Sequence, residues 1–219
     1  MNLQILYQDN HLLAVYKPGG LPVQADDSGD LDLLNLAKMH IKQQFNKPGA
    51  VYLGLVHRLD RPARGVVVLA RTSKAAARLS QQFREHTVRK IYLAAVHGKP
   101  KERHGELTNW LESDERGSRI VAEDCGKFSR LCYELLQTDG ERSLLQVELE
   151  TGRKHQIRAQ LAAIGCPLLG DLKYGAPYAL LDGNIALLAA KLEVEHPVSK
   201  RRIEFEAQLP LGWPWQPKG

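Results

Sequence analysis

The sequence has few cysteines and no long apolar run, and both absences exclude classes of protein. Its three cysteines, Cys125, Cys132 and Cys166, include no close pair, which excludes a disulfide framework and a zinc ribbon. No apolar run approaches the roughly 20 residues that a membrane span needs. The first ten residues also lack the basic region and apolar core of a secretion signal. We therefore expect a cytoplasmic protein with no membrane segment.

Composition and charge are those of a folded protein that can bind a polyanion. Hydrophobic residues make up 43% and charged residues 25% of the 219 positions, which is typical of an ordinary globular protein and excludes disorder. This length allows one sizeable domain or two small ones, and nothing in the composition requires two. The formal net charge is +5, with Lys and Arg spread throughout. That balance favours a nucleic-acid partner, although many enzymes are mildly basic.

The order of the predicted elements favours an α+β fold. Two short β-type runs at the N-terminus flank the turn pair Asp9-Asn10, which predicts an opening hairpin. Apolar residues three or four apart predict helices over residues 34–45 and 72–86. Further strands are predicted at residues 66–70, 88–96, 128–137, 144–150, 187–195 and 201–207. Many strands with few helices indicate a mixed, mostly antiparallel sheet flanked by helices.

The stretch from Leu55 to Arg71, LVHRLDRPARGVVVLAR, carries the candidate for chemistry. Asp60 lies between Arg58 and Arg61, just before a predicted buried strand. Nearby guanidiniums favour the ionised form of a carboxylate, so Asp60 is suited to nucleophilic or base work. On spacing alone, a surface ion pair in a turn is the simpler explanation. The order of the residues around Asp60 is what favours a catalytic role over that ion pair.

Two other blocks contain polar residues that also have simpler explanations. Lys17 ends the second strand and is expected to be a solvated lysine beside a turn. Tyr92, on a predicted strand, is most simply a packed aromatic residue.

The block Thr151–Arg158, TGRKHQIR, predicts a helix start with a polar face. His155 and Arg158 are three residues apart, so they are expected to share a face that is not the buried one. Arg153 and Arg158 either pair with neighbouring carboxylates, or Arg158 reaches Asp60 and holds it with a forked guanidinium.

These blocks, in this order, resemble the motifs of pseudouridine synthases of the RluA type. His57-Arg58-Leu59-Asp60 resembles their catalytic signature, Lys90-Ile91-Tyr92 their Lys-x-Tyr block, and Gly152–Arg158 their GRxHQIR block. Residues 166–175 resemble their "hPllGDxxYG" run. The resemblance covers nearly the whole chain. It implies one catalytic domain over residues 1–219, without an S4-type RNA-binding module.

The resemblance also implies a reaction and residue roles. The expected activity is isomerisation of uridine to pseudouridine in structured ribosomal or transfer RNA, without cofactor or metal. Asp60 is implied as the reacting anion, either attacking the sugar or promoting a glycal-like intermediate. Tyr92 is implied to stack on the flipped base and Arg158 to hold Asp60. Arg58 is expected to fill the place that the flipped base leaves.

Further residues are expected to contact RNA or to support the site. Arg64 and Lys154 stand where relatives have small hydroxyl residues, and they add positive charge beside the presumed site. The residues expected on the RNA-binding face are Arg58, His57, Arg61, Arg64, Arg153 and Lys154. The polar segment 98–117 is expected to form a hairpin excursion that grips RNA. No spacing supplies the ligands that would complete a metal site with His57 or His155, and we expect a monomer.

Two other function classes remain open at this point. A catalytically silent RNA-binding protein on the same fold would explain the charge and the arginines, but it would not require Asp60. A glycoside hydrolase would need a second carboxylate as partner, and none is near Asp60 or Tyr92 in the sequence.

Overall fold

The chain forms two compact units, which are described separately. The computed structural model describes residues 3–26 and 29–215. The first unit consists of Met1–Val88 and Lys191–Ala207, and the second of Arg89–Ala190 and Gln208–Gly219. The strand pairs named below are antiparallel, and the predicted α+β class with a mostly antiparallel sheet is confirmed. The prediction of one catalytic domain over residues 1–219 stays a prediction.

The helices and strands follow the chain in this order. The first unit begins with β1 (Gln4–Gln8), β2 (Leu12–Lys17), α1 (Leu33–Gln44), β3 (Gly54–Leu55), β4 (Arg64–Ala70) and α2 (Ser73–Arg84). The second unit contains β5 (Arg89–His97), β6 (His104–Ser113), β7 (Ser118–Val121), β8 (Lys127–Thr138), β9 (Arg142–Leu149), α3 (Gln156–Ala163) and a 3-10 turn (Leu172–Tyr174). Strand β10 (Leu187–Glu195) runs from the second unit into the first, where β11 (Arg202–Glu206) pairs with it.

In the first unit, apolar strands pack against an amphipathic helix. β1 and β2 form the predicted hairpin, and β2 pairs in turn with β4. Both β2 and β4 are rich in buried aliphatic residues, and α1 covers them with Leu33 and Ile41. The helix begins where it does because the Asp32 side chain accepts a hydrogen bond from the Asn35 backbone N–H at 2.9 Å, a standard N-cap.

One face of α2 binds the backbone at the end of β10. The Gln82 side chain makes two 2.8 Å hydrogen bonds to the Glu195 backbone, one to the carbonyl and one from the N–H. The Arg78 guanidinium donates to the Pro197 carbonyl. Because a side-chain amide is both donor and acceptor, Gln82 satisfies both backbone groups at the end of β10. Sequence spacing cannot reveal this partner, which lies more than 100 residues away.

In the second unit, the strand order is β5-β9-β8-β6-β7. The Asp139-Gly140 turn joins β8 to β9 as predicted, and buried and half-buried residues alternate along β9 from Leu145 to Leu149. Segment 98–117 differs from the expected excursion: β6 pairs with β8 from His104 to Leu111, and its hairpin with β7 continues to Val121. The hairpin is therefore part of the sheet, and its contact with RNA stays a prediction.

Within residues 3–26 and 29–215, no helix is both long enough and apolar enough to span a membrane.

Candidate functional site

Asp60 lies in the loop that joins β3 to β4. The Ala63 N–H donates to the Asp60 carbonyl at 3.0 Å, which closes a turn just before β4. β2 runs antiparallel to β4 with Lys17 opposite Gly65, so the end of β2 lies beside this loop. Gly65 has φ 116°, a conformation that side-chain-bearing residues rarely adopt. The half-buried Asp60 is thus carried on a turn between two paired strands.

Lys17 is completely buried, which contradicts the expectation of a solvated lysine. Its ammonium donates to three backbone carbonyls, those of Pro18 at 3.0 Å, Leu21 at 2.8 Å and Arg61 at 2.9 Å. These acceptors match the three donors of an ammonium group. Lys17 therefore links the loop after β2 to the residue that follows Asp60.

A signal for this burial is present in the sequence. Lys17 has the same parity along β2 as Leu13 and Val15, whose side chains lie in the core. Residues two apart on a strand point to the same face. A lysine in that register can be buried only if local carbonyls bind its ammonium, and the loop after β2 supplies two of them.

Burial lowers the pKa of Lys17 to about 7. The negative charge of Asp60 opposes this shift because it favours the ammonium, whereas Arg64 and Arg61 add to the shift. Lys17 is thus a titratable group within electrostatic reach of Asp60.

The burial of Lys17 predicts a pH-dependent stability. Its pKa falls from an ordinary 10.5 to about 7 on folding, so the unfolded chain binds the extra proton between those values. The stability of the wild type relative to Lys17→Met should be flat below pH 7. Above pH 7 it should rise with pH, by up to about 1.4 kcal/mol per pH unit. Urea unfolding of both proteins from about pH 6 to pH 10 measures this difference. A difference that stays constant would mean that Lys17 remains charged in the folded protein.

Two of the predicted RNA-binding residues beside Asp60 have partners within the protein. The Arg61 Nε donates to the Gly20 carbonyl at 3.0 Å, and its guanidinium pairs with Asp26 and Asp30. The His57 Nε2 accepts from the Val68 N–H at 3.0 Å, and its ring stacks on Phe83 with centroids 4.8 Å apart. Both side chains therefore support the scaffold.

The other two flanking arginines differ in their exposure. Arg58 is exposed, whereas Arg64, the first residue of β4, is only 9% exposed. Arg58 is therefore the better placed of the two to reach a ligand. RNA contact by any of these four side chains stays a prediction.

Arg158 lies in the second unit, and the expectation that it sits on an unburied helix face is wrong. Its side chain is 6% exposed and that of Asp171 is 1% exposed. Its Nε and one terminal nitrogen donate to the two oxygens of Asp171 at 2.7 and 2.8 Å. A bidentate pair satisfies both groups and permits the burial. Pairing of Arg158 with a neighbouring carboxylate is confirmed, and its pairing with Asp60 stays a prediction.

The Tyr174 ring also contacts the guanidinium of Arg158, whose central carbon lies 4.9 Å from the ring centroid. The Tyr174 hydroxyl lies 2.9 Å from the Ser118 N–H, 3.0 Å from the Ser118 carbonyl and 2.9 Å from His155 Nδ1. Tyr174 thus joins Arg158, the start of β7 and the start of α3.

Sequence reasoning placed Asp171 in a motif but assigned it no role. The sequence does contain a signal for this pair. Asp171 lies 13 residues after Arg158, in the motif that follows the one containing Arg158.

The remaining predicted residues lie on strands and turns of the second unit. Tyr92 is half-buried on β5, opposite Val147. The Lys154 ammonium donates to the Asp114 carbonyl at 2.5 Å and the Glu115 carbonyl at 3.3 Å, so it supports the β6–β7 turn. The Arg153 Nε donates to the Phe128 carbonyl at 3.0 Å. Their roles toward RNA stay predictions. Within residues 3–26 and 29–215, no group of three or more His, Cys, Asp or Glu side chains could hold a metal ion.

Comparisons with known proteins agree with these motifs. The model of a family described as RNA pseudouridylate synthase matches residues 11–163. The "Ribosomal large subunit pseudouridine synthase D" of Zymomonas mobilis is 36% identical over 95% of this chain and 69% of that protein. The protein of the same name from Pseudomonas aeruginosa is 33% identical over 98% of this chain and 71% of that protein. The solved "Human RNA Pseudouridylate Synthase Domain Containing 4" aligns with a TM-score of 0.80 and 26% identity, covering 96% of this chain and 90% of that chain.

Proposed function

This chain belongs to the RNA pseudouridylate synthase family and is an isomerase acting on RNA, and we propose that its substrate is a uridine of large-subunit ribosomal RNA. The observation that carries the choice of RNA is the 36% identity, over 95% of this chain, to a protein named for the ribosomal large subunit. Transfer RNA is the competing substrate. The comparisons do not favour a catalytically silent RNA-binding protein.

We further propose that Asp60 is the reacting carboxylate. The isomerisation breaks the N1–C1′ glycosidic bond, turns the uracil and forms a C5–C1′ bond. C5 loses a proton and N1 gains one, so there is no redox change. Asp60 supplies the anion, either by attacking C1′ or by promoting a glycal-like intermediate. In support, the turn that carries it is connected through Arg61 to the buried ammonium of Lys17.

Three other side chains complete the proposed site. Tyr92 stacks on the uracil after it has left the RNA stack and assists removal of the C5 proton. Arg58 fills the vacated position, because a guanidinium can both stack and bind phosphate. Arg158 holds the Asp60 carboxylate. Its buried pair with Asp171 and its contact with Tyr174 support this role, because they leave the guanidinium little freedom.

We also propose where the protein acts and in what state. The protein acts in the cytoplasm, where it meets ribosomal RNA, and it acts as a monomer.

Tritium release tests the proposed function. RNA labelled at uridine C5 is separated into ribosomal and transfer RNA fractions, and each fraction is incubated with the purified protein without added cofactor. We expect release from large-subunit ribosomal RNA and none from transfer RNA. Release from transfer RNA alone would overturn the proposed substrate. Tight RNA binding without release from any fraction would favour the noncatalytic alternative.

A further inference from the structure

Trp110 and Phe128 form an aromatic pair on the sheet of the second unit. They lie directly opposite each other on β6 and β8, with ring centroids 5.5 Å apart and ring planes at 81°. The next residue of β6, Leu111, is 1% exposed, whereas Phe128 is 43% exposed. Since neighbouring residues on a strand point to opposite faces, the pair lies on the face away from Leu111. The edge-to-face contact orients the exposed ring of Phe128.

The Arg153 guanidinium is bound to the backbone of this pair. Its Nε donates to the Phe128 backbone carbonyl at 3.0 Å, so its positive charge is held at the residue that carries the exposed ring. Two arginines on the strands of this sheet form ion pairs. Arg119 pairs with Glu112, and Arg130 pairs with Glu106 and Glu150. In the part of the chain that the structure describes, no carboxylate forms an ion pair with Arg153. Its charge is therefore not neutralised locally.

We propose that Trp110, Phe128 and Arg153 bind an unpaired nucleotide of the RNA substrate, separate from the uridine that reacts. The base stacks on the Phe128 ring, and a phosphate oxygen accepts hydrogen bonds from the Arg153 guanidinium. An exposed flat ring, with a guanidinium hydrogen-bonded to the backbone of the same residue, is complementary to a base and its phosphate. This inference rests on the proposed function only in taking RNA as the ligand.

Binding of a fluorescently labelled octauridylate to the full chain tests the site. Phe128→Leu keeps an apolar side chain but removes the ring, so the Kd should rise about fivefold or more. Phe128→Tyr keeps the ring and should bind like the wild type. Ile120→Ala is a matched control, because Ile120 is also exposed but pairs opposite Leu111 and so lies on the other face. Its Kd should not change.

Salt dependence tests the phosphate contact separately. Arg153→Gln should reduce the slope of log Kd against log salt by about 0.7, the value for one phosphate contact on a single strand. Phe128→Leu should leave that slope unchanged, because a stacked base releases no counterion. An unchanged slope in Arg153→Gln, or wild-type affinity in Phe128→Leu, would overturn the proposal.

The two proposals fail in different ways. Tritium release by the wild type, together with octauridylate binding that is insensitive to Phe128→Leu, would overturn the nucleotide site and leave the isomerase function intact. Ring-dependent binding of octauridylate without tritium release from large-subunit ribosomal RNA would support the nucleotide site and overturn the proposed substrate. If Phe128→Leu fails to fold in a thermal melt, the salt dependence of Arg153→Gln still tests the proposal, because an unchanged slope overturns it.

Discussion

Asp60→Asn should release tritium from C5-labelled ribosomal RNA at least about 10⁴-fold more slowly than the wild type. Asparagine has nearly the same size as aspartate, but it has no negative charge to attack C1′ or to accept a proton. The turn should survive, because its hydrogen bond runs from the Ala63 N–H to the backbone carbonyl of residue 60. The variant should therefore have a lower kcat. Its RNA affinity should stay within about threefold of the wild type, since binding depends on other side chains.

Single-turnover tritium release, with a filter-binding measurement of RNA affinity, checks this result. Glu195→Gln is the control, because it also neutralises one carboxylate of the first unit. Glu195 pairs with Lys200 on the surface, and an exposed pair contributes at most about 1 kcal/mol. Its activity should match the wild type. More than about one hundredth of wild-type activity in Asp60→Asn would remove Asp60 from the proposed role.

Asp171→Asn should lower the free energy of unfolding by about 3–5 kcal/mol, because it leaves the buried Arg158 guanidinium without its carboxylate. For a chain of this size, that loss lowers Tm by about 6–20 °C. Chemical denaturation at neutral pH gives the free energy directly. Glu112→Gln is a matched control, since it removes an exposed ion pair with Arg119 from the same unit. It should change stability by less than about 1 kcal/mol.

A double variant separates stability from catalysis. Arg158→Met with Asp171→Leu removes both charges, so no buried charge is left unpaired, and most of the lost stability should return. Under the role proposed for Arg158, tritium release should not return, because no guanidinium would be left to hold Asp60. If the stable double variant recovered activity, Arg158 would have only a structural role. If it were as unstable as Asp171→Asn, the pair would not be what makes the single variant unstable.

The sequence by itself determined the local elements and the family. The opening hairpin, α1, α2 and the β8–β9 hairpin follow from apolar periodicity, capping residues and turn pairs, which act over a few neighbouring residues. The family follows from the order of four motifs along the chain, and that order can be read without any contact between them. The α+β class follows from the balance of strands and helices.

Only the tertiary structure decided which polar side chains are buried and what they bind. Lys17, expected in solvent, is buried because three carbonyls from two loops surround its ammonium. Arg158, expected on an open helix face, is buried because a loop brings Asp171 to it. The Gln82 side chain hydrogen-bonds to the backbone of Glu195, which lies 113 residues further along the chain. Burying a polar group is favourable only when the fold supplies its partner. The alternation along β2 indicates which face Lys17 lies on, but no local pattern records the partner that a distant segment supplies.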